Sequence, residues 1–214
     1  MSLFITFEGG EGSGKSTQAG VLYRRLSKLG VPAILTHEPG GTPLGRQLRR
    51  WLKGEGEIDA QTELLLFNAS RAHLVSEVIR PALEKGTVVI CDRFADSTTV
   101  YQGYGRGLDF ALVEAVNNIA TQGLRPDLTV LMDVHVEQGL ARKGLRDRFE
   151  REEAAFHQRV RQGYLEMAKR EPERWLVIDA SLPRQEITRL IWERVSRSGG
   201  LSFDSKNGFR YGTD

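Results

Sequence analysis

The chain has 214 residues, 40% of them hydrophobic and 27% charged, and its 30 basic and 28 acidic side chains leave a net charge of +2. This length suits one globular domain, and the balanced charge argues against a dedicated nucleic-acid binder. The single cysteine argues against a disulfide-stapled protein, and the four histidines lack the spacing of a zinc site. The sequence has neither an apolar run of about 18 residues, which a membrane span needs, nor the pattern of a signal peptide. We therefore expect a cytoplasmic protein without nucleic-acid or membrane partners.

Short apolar segments alternate with longer amphipathic ones, a pattern typical of an α/β fold with helices on both faces of a parallel sheet. The apolar segments are almost continuously hydrophobic, as strands buried on both faces should be. The predicted strands are Leu3–Glu8, Val31–His37, Thr87–Asp92, Leu128–Asp133 and Trp175–Asp179. The predicted helices cover residues 15–29, 43–53, 60–84, 95–102, 109–122, 136–143, 150–170 and 183–197, with a break or kink at Pro81.

A phosphate-binding signature lies between the first strand and the first helix. Residues 9–16 read Gly-Gly-Glu-Gly-Ser-Gly-Lys-Ser and match the P-loop pattern G-x-x-x-x-G-K-[ST]. Glycines allow backbone N–H groups to surround phosphate oxygens at the positive end of a helix, Lys15 reaches the outer phosphates, and the Ser16 hydroxyl can bind Mg²⁺. The expected ATP contacts in this loop are Gly10, Glu11, Gly12, Ser13, Gly14, Lys15, Ser16 and Thr17.

The end of the third predicted strand distinguishes between classes of P-loop protein. Helicases and transport ATPases usually have Asp-Glu at this point, the Glu polarising water, whereas this strand ends in Asp92 followed by Arg93. Asp92 can help to hold Mg²⁺ and Arg93 can bind a second anionic group, which favours phosphoryl transfer to a phosphate acceptor over hydrolysis. A strand-end ion pair is the simple structural alternative. The guanine-binding motif Asn-Lys-x-Asp is absent from the sequence.

Several separately spaced motifs resemble those of the thymidylate kinase family, bacterial type, and occur in that family's order. They are Phe7-Glu8-Gly9, the run Glu-Pro-Gly-Gly-Thr-Pro-Leu-Gly at 38–45, Phe67-x-x-x-Arg71, Asp92-Arg93-Phe94 with Ser97, Tyr101-Gln102-Gly103, a basic segment, and Ile178-Asp179-Ala180-Ser181. The resemblance implies a P-loop NTPase-type sheet of five parallel strands and a homodimer built through helix packing. It also implies Mg²⁺-assisted phosphorylation of dTMP by ATP, giving dTDP for dTTP biosynthesis.

The resemblance also implies which residues bind the acceptor. Phe67 and Arg71 lie four positions apart on one helix and face the same way; Phe67 would stack on thymine and Arg71 would contact its O4. Without the resemblance, a core phenylalanine and a surface cation would be the preferred reading. Tyr101 would lie against the 2′ carbon of the sugar. The implied dTMP contacts are Glu11, Pro39, Leu52, Phe67, Arg71, Arg93, Ser97, Thr98, Tyr101 and Gln102. Positions 39 and 52 are equally consistent with plain core packing.

Residues 142–151, here called the lid segment, carry five basic side chains in ten positions. Some thymidylate kinases have an arginine directly after the acidic P-loop residue, where this chain has Gly12. The resemblance therefore implies that Arg146 or Arg148 supplies a catalytic cation, whereas Arg142 packs on the adenine of ATP. It also implies that the loop at 180–183 contacts adenine through its backbone. A solvated helix junction is the alternative for such a run of charges. The implied catalytic residues are Lys15, Asp92, Arg93, Arg146 and Arg148, with Ser16 and Asp92 as the metal ligands.

Residues 1–197 are predicted to form one kinase domain, and residues 198–214, which have four glycines and three serines without periodicity, a largely disordered tail. Rival functions are a kinase for another nucleotide or nucleoside, a non-catalytic nucleotide sensor and a nucleic-acid-dependent ATPase. The Phe67 and Arg71 spacing argues against the first, and the complete set of phosphate-binding residues argues against the second. The balanced charge and the missing Asp-Glu pair argue against the third.

Overall fold

Five parallel strands form the central sheet, in the spatial order β2-β3-β1-β4-β5. The structure is a computed structural model that describes residues 2–54, 56–143 and 148–198, together with residues 203–204 and 208–209 of the tail. The strands of the sheet are β1 (Phe4–Glu8), β2 (Ala33–His37), β3 (Val88–Asp92), β4 (Leu128–Asp133) and β5 (Trp175–Asp179). Each lies within its predicted range, and the predicted α/β class with a five-stranded parallel sheet is confirmed.

Nine α-helices and two π-helical segments connect and cover these strands in the described part of the chain. The α-helices are α1 (Lys15–Lys28), α2 (Pro43–Lys53), α3 (Ala60–Leu74), α4 (Arg80–Glu84), α5 (Ala95–Thr98), α6 (Phe110–Thr121), α7 (Val136–Lys143), α8 (Ala154–Arg170) and α9 (Arg184–Arg197). The π-helical segments are Val75–Ile79, between α3 and α4, and Thr99–Gly105, which follows α5. Side-chain oxygens of Thr42, Asp59 and Asp109 cap the N-termini of α2, α3 and α6.

The structure differs from the predicted helices at three points. The helix predicted over 60–84 contains the π-helical segment Val75–Ile79, and Pro81 follows in the first turn of α4, where a missing N–H costs little. The helix predicted over 95–102 is the short α5 continued as a π-helix. The helix predicted from residue 150 begins at Ala154, because Glu153 is extended, with φ −60° and ψ 151°.

Helices pack on both faces of the sheet, as expected for strands that are hydrophobic throughout. On one face, Leu26 of α1 and Ile191 of α9 belong to one buried cluster with Ile5 and Val130. The other face divides into two clusters, one around Phe4 and Phe94 and one that includes Leu131 and residues of α8. In the register of β1 with β3, Phe7 lies opposite Asp92. The carboxyl ends of these two strands therefore meet at one edge, the usual position of a ligand site in such sheets.

The tail prediction concerns residues that lie mostly outside the described ones. Within the tail, Phe203–Asp204 (β6) and Gly208–Phe209 (β7) pair as antiparallel strands. None of the described helices has both the length and the apolar character that crossing a membrane requires.

Candidate active site

The P-loop connects β1 to α1 and encloses its own lysine. Gly9, Gly12 and Gly14 have φ values of 139°, 67° and 89°, which side-chain-bearing residues rarely adopt, and this is why glycines are needed here. Nζ of Lys15 donates to the carbonyl oxygens of Gly9 and Gly10 at 3.0 and 2.7 Å. Burial lowers the pKa of Lys15 to about 8, and the nearby positive charge of Arg93 acts in the same direction.

Helix α7 packs directly on the P-loop through a contact between two glycines. A Cβ on Gly139 would come within 2.3 Å of the carbonyl oxygen of Glu11, and a Cβ on Gly12 would meet the carbonyl oxygen of Gly139 at 1.9 Å. Both distances are too short for any real carbon–oxygen contact. The backbone of α7, which leads into the lid segment, therefore touches the P-loop.

Gly139→Ala is expected to destabilise the protein by about 1–3 kcal/mol and to weaken ATP binding, because overpacking must displace either α7 or the P-loop. Gln138→Ala, at an exposed position on the same helix, is the matched control and should change stability by less than about 0.5 kcal/mol. Urea unfolding and ATP titration measure the two effects. Equal stability and ATP affinity in both variants would contradict a tight contact at position 139.

An oxygen pair suited to Mg²⁺ lies where the P-loop faces the end of β3. The hydroxyl of Ser16 donates a hydrogen bond to Oδ2 of Asp92. Mg²⁺ prefers hard oxygen ligands and usually takes only one or two from the protein, with water and phosphates supplying the rest. The two predicted metal ligands are thus adjacent and chemically suitable.

Arg93 lies at the centre of the site, in an unusual backbone conformation. Its φ of 73° is in the left-handed region, which non-glycine residues seldom occupy. Nη2 of Arg93 donates to Oε1 of Glu11 at 2.7 Å and to the hydroxyl of Tyr101 at 3.1 Å. The Tyr101 hydroxyl donates to the same Glu11 oxygen at 2.9 Å. Three residues predicted separately from the sequence therefore contact each other in the fold.

Behind Arg93 lies Glu8, a buried carboxylate in the Phe7-Glu8-Gly9 motif that is not among the predicted site residues. It accepts hydrogen bonds from the backbone N–H of Phe94 and from the hydroxyls of Ser97 and Tyr164. Burial raises the pKa of Glu8 to about 7. Tyr164 comes from α8, and the sequence offered no signal that this tyrosine reaches the end of β1.

A pocket of about 410 Å³ opens beside the P-loop. One wall is aromatic: the ring centroid of Phe149 lies 5.7 Å from that of Phe67 and 6.0 Å from that of Tyr101. Phe149 belongs to the lid segment, which the sequence analysis interpreted by its charges alone. The predicted site residues that line the pocket are Glu11, Gly12, Ser13, Gly14, Lys15, Ser16, Thr17, Pro39, Phe67, Arg71, Asp92, Arg93, Ser97, Thr98, Tyr101 and Gln102. Residues that line it without having been predicted include His37, Arg49, Lys53 and Phe149.

Arg71 is deeply buried, with 1% of its surface exposed, so the interpretation as a surface cation is wrong. Its guanidinium forms an ion pair with Glu38 at 2.7 Å and donates to the side-chain oxygens of Asn68 and Asn117 and to the carbonyl oxygen of Phe94. These bonds fix the plane of the guanidinium at the rim of the pocket. Burial raises the pKa of Glu38, while Arg71 opposes that shift.

Four predicted residues with described positions do not line the pocket. Leu52 is buried core, and Gly10 contributes its carbonyl oxygen to Lys15. Arg142 donates to the carbonyl oxygen of Ala180 at 3.2 Å, next to the loop expected to contact adenine. Arg148 lies close to α2 and α3. Arg146 lies outside the described residues.

Arg148 is directed toward a carboxylate on α3. It forms an ion pair with Glu63 at 2.7 Å and donates to the carbonyl oxygens of Leu52 and Ile58. Glu63 is fully buried and also accepts hydrogen bonds from Gln102 and Arg106. In this conformation Glu63 therefore connects the lid segment to α3 and to the π-helical segment that carries Gln102.

This cleft, in which a P-loop lysine, a strand-end Asp-Arg pair and aromatic side chains line one pocket, defines the class of P-loop kinases that transfer a phosphoryl group to a second bound molecule. The family model for thymidylate kinase matches residues 7–191. The thymidylate kinase of Dehalococcoides mccartyi strain CBDB1 is 56% identical over 200 residues, 92% of this chain and 96% of that protein. The thymidylate kinase of Thermomicrobium roseum is 50% identical over 200 residues, 92% of this chain and 95% of that protein.

Among solved structures, the thymidylate kinase from Ehrlichia chaffeensis superposes with a TM-score of 0.76 at 37% sequence identity and covers 91% of this chain and 98% of its own. The chain belongs to the thymidylate kinase family. It is thus a phosphotransferase that uses ATP.

Proposed function

We propose that this cleft transfers the γ-phosphoryl group of ATP to dTMP, giving dTDP and ADP, the reaction that supplies dTTP synthesis. The observation that carries the proposal is the position of Arg93, which lines the pocket and bonds both to Glu11 of the P-loop and to Tyr101 of the aromatic wall. An acceptor phosphate on Arg93 would face the outer phosphate of ATP on Lys15. No general base is needed, because a phosphate monoester acceptor is already ionised near neutral pH and catalysis reduces to alignment and charge neutralisation.

On the donor side, residues 10–17 would bind the phosphates of ATP, and Arg142 would pack on its adenine. The support for Arg142 is its bond to the carbonyl oxygen of Ala180, at the start of the adenine loop. Ser16 would hold Mg²⁺ directly and Asp92 by way of water. When bound, Mg²⁺ neutralises part of the charge on the phosphates.

On the acceptor side, Phe67 would stack on thymine and Arg71 would contact its O4. The support is that Phe67 and Arg71, four positions apart on α3, line the same pocket. The N–H groups of Arg71 are bonded to protein acceptors in the described conformation, so a contact with O4 requires one of these bonds to be shared or exchanged. Ser97 and Thr98 would contact the base near N3. The remaining residues proposed to form the dTMP site are Pro39, Leu52 and Gln102. Leu52 would act indirectly, because it is buried behind the residues that line the pocket.

A coupled assay of ADP release across a panel of nucleoside monophosphates tests the proposed function. We expect turnover with dTMP and much slower turnover with UMP, CMP, AMP and GMP, and loss of turnover when Mg²⁺ is chelated. Comparable rates with UMP or CMP would favour a kinase of broader specificity. ATP binding without ADP release for any acceptor would favour a nucleotide sensor and would refute the proposal.

Tyr101 is expected to exclude ribonucleotides. If its ring lies against the 2′ carbon of the sugar, a 2′-hydroxyl clashes with it or forces the side chain off its rotamer. Ribothymidine monophosphate should then have a kcat/KM at least about tenfold below that of dTMP, and Tyr101→Ala should narrow the gap. Steady-state kinetics with both acceptors decide the matter. An equal ratio in wild type and variant would place the sugar filter elsewhere.

A homodimer is proposed through the face formed by α2, α3 and α6. The support is exposed apolar surface on these neighbouring helices: Trp51, Leu65 and Ile119 are 64%, 58% and 77% exposed. Leu65→Glu should give a monomer in size-exclusion chromatography with light scattering, because a buried unpaired charge at a dimer contact is strongly unfavourable. Leu29→Glu, an exposed apolar position after α1, is the control and should remain dimeric. A dimeric Leu65→Glu would refute this interface.

We also propose a cytoplasmic location. The support is the single cysteine, which is a buried free thiol and so suits a reducing compartment.

A further inference from the structure

Glu8 has no part in the transfer proposed above, yet it lies directly behind Arg93. Its side chain is completely buried. Oε1 accepts the backbone N–H of Phe94 at 2.7 Å, and Oε2 accepts the hydroxyls of Ser97 and Tyr164 at 2.6 and 2.8 Å. Burying a carboxylate costs free energy unless hydrogen bonds or a counter-charge compensate, and here three donors from two distant parts of the chain do so.

The two hydroxyls that bind Glu8 also contact Arg93. Nη1 of Arg93 donates to the Ser97 hydroxyl at 3.2 Å and to the Tyr164 hydroxyl at 3.4 Å. Each hydroxyl can therefore accept from the guanidinium while it donates to the carboxylate. Two hydroxyl groups therefore connect the Arg93 guanidinium to the Glu8 carboxyl by hydrogen bonds.

The backbone of Arg93 depends on Glu8 as well. Arg93 has a left-handed φ of 73°, a conformation that persists in a non-glycine residue only where the surroundings fix it. The bond from the N–H of Phe94 to Glu8 fixes the peptide that immediately follows Arg93. One carboxylate thus restrains both the main chain and the guanidinium of this arginine.

The two terminal nitrogens of Arg93 have different partners. Nη1 faces the hydroxyls that lead to Glu8, whereas Nη2 contacts Glu11 and Tyr101 on the side of the pocket. An incoming phosphate would compete with Glu11 for Nη2, because both are anions that seek the same donors. The bonds at Nη1 do not have to break in that exchange.

We propose that Glu8 is a positioning residue that holds Arg93 through the Ser97 and Tyr164 hydroxyls while Nη2 exchanges Glu11 for the acceptor phosphate. The inference rests on the proposed function, in which Arg93 binds the phosphate of dTMP. It predicts that weakening the Glu8 side of the network impairs acceptor binding more than ATP binding.

Two variants test this role from opposite ends of the network. Glu8→Gln keeps the side-chain size and removes the negative charge, and Tyr164→Phe removes one bridging hydroxyl but keeps the ring that packs on Trp175. In each we expect KM for dTMP to rise about tenfold, as when a hydrogen bond to a charged group is lost. KM for ATP should stay within about twofold. Tyr104→Phe, which loses only a hydroxyl bond to Glu166, is the control and should change neither value.

Steady-state kinetics are measured together with melting temperatures. A lower melting temperature with unchanged KM for dTMP in both variants would show a purely structural role and overturn the inference, as would an equal rise for both substrates. If Glu8→Gln does not fold, Tyr164→Phe decides the question alone. Turnover of dTMP by the wild-type enzyme checks the proposed function separately: its absence refutes that function, whereas normal wild-type turnover with unchanged variants refutes only the role of Glu8.

Discussion

Replacing Lys15 with alanine is expected to lower kcat by on the order of 10³-fold, as removal of a charge that stabilises a transferring phosphoryl group does in related chemistry. In the described structure the Lys15 ammonium is buried within the P-loop and bonded to backbone carbonyls. It is therefore already in the position from which it would reach the outer phosphates of ATP. The loop itself is shaped by its glycines, so the backbone should keep its conformation without the lysine.

The fold should survive this substitution, because the buried ammonium is not a net stabilising group. Burial lowers the pKa of Lys15 to about 8, which means that the charged form is less favourable in the folded state than in water. Circular dichroism and single-turnover kinetics separate folding from catalysis, with Lys28→Ala, exposed on the same helix, as the control. Near-normal turnover by folded Lys15→Ala would contradict the phosphate-binding role of the loop.

The second large effect is expected in the lid segment. If the segment closes over bound nucleotides and supplies a cation, Arg146→Ala or Arg148→Ala should lower kcat by on the order of 10³-fold while changing dTMP affinity much less, as loss of an arginine finger does. A solvated helix junction predicts changes within about twofold in both, since an exposed ion pair contributes only about 0–1 kcal/mol and no chemistry. Arg148 is not such an exposed case, because its partner Glu63 is fully buried. Measurements of kcat and of dTMP dissociation for both variants distinguish the two.

The structure adds a condition to this experiment. Arg148 is bound to Glu63 and to two backbone carbonyls, so it can act in catalysis only after leaving them. If Arg148 acts, then both it and Glu63 matter, and Glu63→Gln should change kcat along with Arg148→Ala. If Arg148 only holds the lid segment to α3, Arg148→Ala should leave kcat nearly unchanged. The decrease in kcat of about 10³-fold should then appear with Arg146→Ala. A kcat that moves less than a few-fold in every variant would refute a catalytic lid.

The sequence predicts well those parts of the site whose residues are close together in the chain. The P-loop is one continuous run between a strand and a helix, and the spacing of Phe67 and Arg71 puts both on one face of a helix. The sheet was predictable for a similar reason, because each buried strand is a short continuous hydrophobic segment. Residue type and spacing suffice when the interacting groups are near in the chain.

The parts that the sequence does not predict are those made by distant residues. Asn68 is three positions before Arg71 on α3, but the other partners of Arg71 come from the segment after β2, from the end of β3 and from α6, and no spacing rule connects those. Glu8 and Tyr164 are 156 positions apart. Phe149 was missed for another reason: its neighbours are charged, so the segment seemed wholly polar although this ring lines the pocket. Such contacts require tertiary structure.

The contact between the two backbones at Gly12 and Gly139 limits how this enzyme could evolve. A Cβ at position 12 would meet the carbonyl oxygen of Gly139 at 1.9 Å, and the residue would have to adopt a φ of 67°. A single substitution therefore cannot add a side chain, charged or not, to this part of the P-loop. Helix α7 would have to move away first, so a variant with a new group at position 12 needs compensating changes in α7.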